Sequence, residues 1–290
     1  MGSAIGKIQI LFPAIRIHTW GGLGSQLFAA NLVLKLQEKY PYRRLNILIH
    51  TSGVTRRECE FDFGSLNVVY RQIEDFESRH NKNTATDSVD WYQHFFNWIA
   101  QKIRRFLDST SLIKSANDDL SFESIRPWIL SLRGHYTKLN IDKSRALTLF
   151  NTMYGQSWNK GLVPLKLVIH YRLGDLLELN EKGPIEPNRI EALIIKHEIA
   201  SESARIMSDS SAADLIQVLK NSAYLKSLKI MNATPQLTIT QCMNADTFVG
   251  TNAKLSLWAV IFRAFLFDKP SYLPIEMNWK NEIKSKCDWY

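Results

Sequence analysis

The chain has 290 residues, 45% hydrophobic and 22% charged, enough for one large or two medium folded domains. Its 36 Lys and Arg exceed its 28 Asp and Glu, so the net charge of +8 calls for an anionic partner such as a nucleotide ligand, an acidic membrane surface or nucleic acid. Nucleic acid is set aside because no long Lys/Arg run and no dense basic–aromatic alternation is present, and Cys59, Cys242 and Cys287 are too scattered for a disulfide framework, which fits a reducing compartment.

The opening Met1–Lys7 lacks the apolar core and cleavage site of a signal peptide, so a cytoplasmic protein is expected. Ala14–Trp20 reads as a first strand. Gly21–Gly24 follows, and Ser25–Leu36 has helical spacing, with apolar residues at 28, 32, 36 and at 27, 30, 34. Tyr40-Pro41 ends that helix, and Leu45–His50 is a second strand. Strand, Gly-rich turn, helix, strand opens a doubly wound α/β sheet.

Residues 79–90 read as a polar loop, and Trp91–Leu107 as an aromatic, basic helix whose stripe includes Trp91, Phe95, Ile103 and Phe106. Two readings of that helix stand: docking on an anionic membrane surface, or packing on its own sheet, which is favoured because helical aromatic stripes are usually core. Residues 108–155 read as mostly helical, with Pro127 near a helix start. Tyr154–Gly161 reads as a linker, giving an N-terminal domain over 1–158, a second domain over 159–275 and a tail over 276–290.

In the second half, Leu165–Ile169 is a short buried strand that ends in His170-Tyr171-Arg172-Leu173-Gly174-Asp175. Helices are expected over Ile190–Ala200, Ala212–Asn221 and Lys254–Phe267, and short strands over Ala204–Met207 and Thr247–Gly250. The longest apolar stretch, Leu255–Phe267, contains Arg263 and falls short of the ~18 residues needed to span a bilayer.

Polar clusters therefore sit at four strand ends: Gly21–Gln26, His170–Asp175, Ser208-Asp209 and Gly250–Ser256. Open α/β sheets bind ligands at the carboxyl ends of their strands. A guanidinium there suits a diphosphate, because its fork matches two oxygens at once. Arg172 is the candidate, with Asp175 orienting it; an ordinary Arg–Asp ion pair gives the same pattern. Asp209 could accept from ribose hydroxyls or a base N–H. Thr251, Asn252 and the helix starting near Lys254 could hold phosphate oxygens through backbone N–H groups. The glycine loop is neither a full G-x-G-x-x-G fingerprint nor a Walker A loop. No Asp-x-Asp pair and no zinc-type cluster occurs, so no metal site is expected. His18, His50 and His197 read as structural or exposed.

The four clusters together resemble the α-1,2-fucosyltransferase family. Trp20-Gly21-Gly22-Leu23-Gly24-Ser25-Gln26-Leu27-Phe28 is similar to its G-G-L-G-N-Q opening, His170–Asp175 to its H-x-R-R-G-D, Met207-Ser208-Asp209 to its S-D-D, and Gly250–Val260 to its S-N-S-x-F-S-W-W-A-A helix start. The resemblance spans residues 14 to about 275, and residues 55–160 carry none of it. It implies a GT-B architecture, two Rossmann-like domains facing a central cleft. It also implies inverting, metal-independent transfer from GDP-fucose, with no further cofactor, to a galactose-type hydroxyl of a surface glycan.

By the resemblance, Arg172 would bind the donor diphosphate, with His170 and Asp175 shaping its loop. Gly22, Gly24, Ser25 and Gln26 would line the cleft, Asp209 would meet the nucleoside, and Ser256 would lie near the phosphates. A lipid-linked glycan acceptor and peripheral contact with the inner membrane are expected from the family context. Asp175, Glu178 and Glu186 are the carboxylates near the loop that could serve as general base.

The chain departs from the family at Ser25 for Asn, Leu173 for the second Arg, Ser210 for Asp, Ala253-Lys254-Leu255 for the small-polar/Phe stretch, and Leu257 for the first Trp. Lys254 could restore the lost charge, though not a bidentate fork. Two alternatives follow: the same scaffold using another nucleotide sugar, or a non-catalytic carbohydrate- or phosphate-binding protein on a degraded transferase fold.

Overall fold

The structure, a computed structural model, describes residues 13–51, 58–73, 112–116, 122–155, 162–173, 183–200, 202–277 and 287–290, together with 99, 102, 103, 106, 107, 110 and 158. They form two compact units, one of Met1–Gly21 with Phe28–Leu139, the other of Gly22–Leu27 with Asn140–Tyr290.

The first unit contains strands β1 (Ile15–Trp20), β2 (Leu45–His50), β3 (Val69–Ile73), β4 (Ile113–Ala116) and β5 (Ser131–Gly134). They pair in the order β3-β2-β1-β5-β4, every pair parallel. Along β1, Ile15, Ile17 and Thr19 are fully buried, whereas Arg16, His18 and Trp20 retain exposure. Helix α1 (Leu23–Lys39) buries Leu27, Phe28, Leu32, Val33 and Leu36 completely.

The helix begins earlier than its apolar period announces. The Gly22 carbonyl accepts from Ser25 N–H at 2.9 Å and Gln26 N–H at 3.2 Å, so Gly24 and Ser25 lie in the first turn rather than in a free loop. The turn itself falls on Gly21, whose φ of 90° an L side chain rarely adopts.

The expectation of a mostly helical 108–155 is overturned. That stretch supplies β4 and β5, Pro127 lies in a turn, and among its described residues only α2 (Lys143–Tyr154) is a long helix. Strands of four residues are too short to show alternation, and β5 is specified by pairing with β1, far away in sequence. Of the Trp91–Leu107 segment, the described residues 99, 102, 103, 106 and 107 are helical. Ile103 and Phe106, both on the apolar stripe, are 54% and 66% exposed, so at these positions the favoured packing on a sheet is not found. The expected 79–90 loop lies outside the described residues.

The second unit contains α2, β6 (Leu167–His170), α3 (Pro187–Lys196), β7 (Arg205–Ser208), α4 (Ala212–Leu219), β8 (Lys229–Asn232), α5 (Pro235–Asn244), β9 (Thr247–Gly250), α6 (Lys254–Phe262), β10 (Ser271–Leu273) and β11 (Asp288–Trp289). The sheet order is β11-β10-β9-β6-β7-β8, again all parallel. Counted from β6, this is the 3-2-1-4-5-6 order of the dinucleotide-binding fold, with its switch point between β6 and β9. Two Rossmann-like α/β units are thus present, as the sequence pattern implies.

Their division falls after Leu139 rather than after residue 158, because α2 packs on the second unit: the Phe150 ring lies 5.7 Å from those of both Phe262 and Phe267. Nor are the last residues a simple tail, since β11 pairs with β10.

Arg263 is fully buried just after α6. Its guanidinium donates to the carbonyls of Cys242, Ala245, Asp246 and Pro270 and to the Ser271 hydroxyl, at 2.6–2.9 Å. It thereby satisfies the end of α5, where orphan carbonyls and the helix dipole favour a cation. Burial lowers its pKa to about 10.

Candidate functional site

The site is built from the carboxyl ends of β6, β7 and β9. The β6 and β9 ends are locked together by Thr251. Its hydroxyl donates to the His170 carbonyl at 2.9 Å and accepts from Arg172 N–H at 2.9 Å, while its own N–H reaches the same carbonyl at 3.1 Å. The Arg172 guanidinium donates to the Asn252 carbonyl at 3.2 Å. Asp209, exposed after β7, accepts from Leu173 N–H at 3.2 Å and so ties the Arg172 loop to the next strand.

Beneath this surface His170 and Ser256 are 4% and 0% exposed, and a 2.7 Å hydrogen bond joins His170 Nδ1 to Ser256 Oγ. Burial, assisted by the adjacent Arg172 charge and opposed by Asp209, lowers the His170 pKa to about 4. The ring is therefore neutral near pH 7. Gly250 makes this close approach of β9 and α6 feasible, because a Cβ there would lie 2.7 Å from Ser256 Cβ.

The expected ligand-binding residues consequently separate into two layers. Arg172, Asp209, Asn252 and Lys254 keep exposure and can meet a ligand. His170, Thr251 and Ser256 are buried and hold them in place. For Thr251 this changes the expected role, since its hydroxyl and N–H are already used within the loop. Ala253 gives α6 no side-chain cap, so the helix start beside Arg172 has backbone donors suited to an anion.

The glycine motif joins the same unit by docking on α6. Trp258 Nε1–H donates to the Gly24 carbonyl at 3.0 Å, and Lys254 Nζ to Ser25 Oγ at 3.1 Å. A Cβ on Gly24 would lie 2.7 Å from Leu255 N. Ser25 is 7% exposed and Gln26 is fully buried, so both belong to this packed contact, which Gly22 opens as the first helical acceptor.

Leu173, where the resemblance has a second Arg, is fully buried in the apolar cluster with Ile169, Ile185 and Ile190. Gly174, Asp175 and Glu178 lie outside the described residues. Glu186 is exposed at the start of α3. Tyr290 was not foreseen: its hydroxyl donates to the Gly250 carbonyl at 3.0 Å, and only the pairing of β11 with β10 brings it there. Among the described residues no group of three or more His, Cys, Asp or Glu is placed to hold a metal ion.

Fold and site together define a two-unit, Rossmann-like α/β protein whose second unit presents a cationic, hydrogen-bond-rich switch point. No protein-family description and no curated protein matches the chain. Among solved structures it is similar to E. coli ADP-heptose LPS heptosyltransferase II, with a TM-score of 0.43 and 12% identity over 96% of this chain and 90% of that one. A family 9 glycosyltransferase from Veillonella parvula DSM 2008 gives 0.38 and 11% over 91% and 81%. A UDP-N-acetylglucosamine 2-epimerase gives 0.40 and 10% over 90% and 78%.

Proposed function

We propose that the protein is a GT-B glycosyltransferase that moves a sugar from a nucleoside diphosphate to a glycan hydroxyl with inversion and without a metal. The observation that carries the reading is the fastening of Arg172, by backbone and guanidinium, to the β9–α6 loop at the switch point, beside an uncapped helix start. The acceptor hydroxyl attacks the anomeric carbon and releases its proton to water, the C–O bond to the diphosphate breaks, and the nucleoside diphosphate leaves with the electron pair. Arg172 and the α6 amides stabilise the charge that builds on the leaving oxygens. Neutral His170 holds Ser256, and through it α6, in register.

GDP-fucose is the donor that the motif order favours. A second reading, another nucleotide sugar on the same scaffold, is favoured by Leu173, whose burial leaves the 172–173 pair with a single guanidinium. Thermal-shift titration with GDP, UDP, ADP and CDP separates the two: selective stabilisation by GDP supports fucosyl transfer. Arg172→Ala should lower turnover by about 100-fold or more, the scale of losing one key electrostatic stabiliser, with the melting temperature retained. Near-native turnover in that variant removes Arg172 from the mechanism.

A cytoplasmic, peripheral membrane position and a lipid-linked acceptor belong to the same proposal. Exposed Ile103 and Phe106, near Lys102, support membrane contact. No helix among the described residues is long and apolar enough to cross a membrane. Flotation with anionic liposomes at low salt is the check, and protein left in the soluble fraction counts against docking.

A further inference from the structure

We propose that the first unit binds an acidic saccharide, one bearing a carboxylate or phosphate, along the face of its sheet that carries Arg16, Arg71 and Arg133. The parallel register places these side chains together. Arg16, His18 and Trp20 share one face of β1, opposite the buried Ile15, Ile17 and Thr19. Pairing aligns Arg16 with Asn46, His18 with Leu48 and Trp20 with His50 on β2. It aligns Asn46 with Val69 and Leu48 with Arg71 on β3, and His18 with Arg133 on β5. Parallel neighbours in register point the same way. Through these β1, β2, β3 and β5 positions the face carries three guanidinium groups and two imidazoles, and no carboxylate.

Two features make this more than scattered surface charge. The first is a groove of about 290 Å³ lined by Arg16, Asn46, Leu48, Val69 and Arg71 among others. Val69 on its wall is 70% exposed and offers apolar surface to the C–H faces of a sugar ring. The second is a fixed stack at the carboxyl end. The Trp20 and His50 rings lie 4.3 Å apart and 10° from parallel, and the Arg133 guanidinium lies 5.4 Å from the Trp20 ring centre. His18 Nδ1 and His50 Nε2 are hydrogen-bonded at 2.8 Å.

The hydroxyl of buried Tyr136, at φ 57°, shares its one hydrogen between the His18 carbonyl at 2.7 Å and the Leu132 carbonyl at 2.9 Å, fixing β1 against β5. A bulky residue held in the left-handed region is backbone strain of the kind concentrated at binding sites. The groove runs across β1, β2 and β3, and the stack closes the same face at its carboxyl end. A groove with two guanidinium groups, Arg16 and Arg71, and an exposed valine on its wall suits an acidic sugar better than a flat lipid surface. The inference rests on the proposed transferase reading only in taking this saccharide to be the acceptor; the binding itself does not need it.

The test is calorimetric titration of the full chain with methyl β-glucuronide, glucose 6-phosphate and methyl β-glucoside. Both acidic sugars should bind about tenfold or more tighter than the neutral glycoside, the worth of one charged hydrogen bond. Arg16→Gln with Arg71→Gln, both exposed positions, should weaken acidic-sugar binding about tenfold, the same one-bond scale, while melting temperature and nucleotide affinity stay unchanged. Arg133→Gln is the second variant and should act in the same direction. Equal binding of acidic and neutral sugars, or no sugar binding at all, overturns the proposal. So does unchanged affinity in the variants, or arginine-dependent binding confined to phosphatidylglycerol vesicles. Loss of nucleotide binding in the parent protein sinks the transferase reading and leaves these sugar results standing.

Discussion

His170 gives a pH signature that separates its holding role from a surface role. Its ring is buried, and its pKa falls from an ordinary 6.5 to about 4, chiefly through burial and secondarily through Arg172, against the pull of Asp209. Between those values the unfolded chain binds a proton that the folded chain refuses, so stability is lost as pH falls through that window. A drop of about two and a half units corresponds to roughly 3 kcal/mol at full protonation of both states. Above pH 6.5 both states are neutral at this ring and the penalty vanishes. The His170→Gln variant has no such proton, and its amide can still reach Ser256 Oγ.

The assay is urea denaturation of parent and variant at pH 4.5, 5.5 and 7. Subtracting the two curves cancels the carboxylates common to both. The parent should lose about 2 kcal/mol more than the variant between pH 7 and 4.5, most of the available linkage energy. Parallel curves for parent and variant refute the argument, because they place the imidazole in contact with water in the folded state.

The remaining predictions concern the supports of α6. Gly24→Ala should cost about 1–3 kcal/mol from overpacking against Leu255 N, less the ~1 kcal/mol an alanine returns to a helix, and should weaken nucleotide binding; a variant more stable than the parent in a thermal melt counts against tight docking. Arg263→Met should cost about 3–5 kcal/mol, since it strands buried carbonyls at the end of α5. Arg263→Lys should recover part of that loss, with three donors in place of five, and equal urea midpoints for all three proteins rule the staple out.

How far the sequence discloses this molecule depends on the range of each interaction. Strands β1, β2, β6, β7 and β9 are legible because an apolar run stops at a polar cluster, a local signal. Strands β8, β10 and β11 are not, because two to four residues carry no usable period and their partners are chosen by the sheet. The placement of Arg172, Asp209 and Asn252 at strand ends is legible in the same way. The His18–His50 pair is hidden because it depends on β1–β2 register across 32 residues of sequence. The Ser25–Lys254 bond, across 229 residues, is hidden for the same reason.

That last bond bears on whether the departures from the resembled family signify decay. A site losing its function accumulates changes independently, and nothing then selects for their mutual fit. Here two departures, Ser25 and Lys254, are hydrogen-bonded to each other, and the retained Trp258 donates to Gly24 beside them. A third, Leu173, is fully buried in an apolar cluster, where a guanidinium would be costly to hold. A fourth, Ser210, is 7% exposed, and its carbonyl accepts from Asn232 at 3.4 Å, in a place where a second carboxylate would be buried. Each change suits its surroundings, and Arg172 keeps its fastening throughout. The pattern is that of a site refitted around one guanidinium, which counts against the reading of a degraded fold.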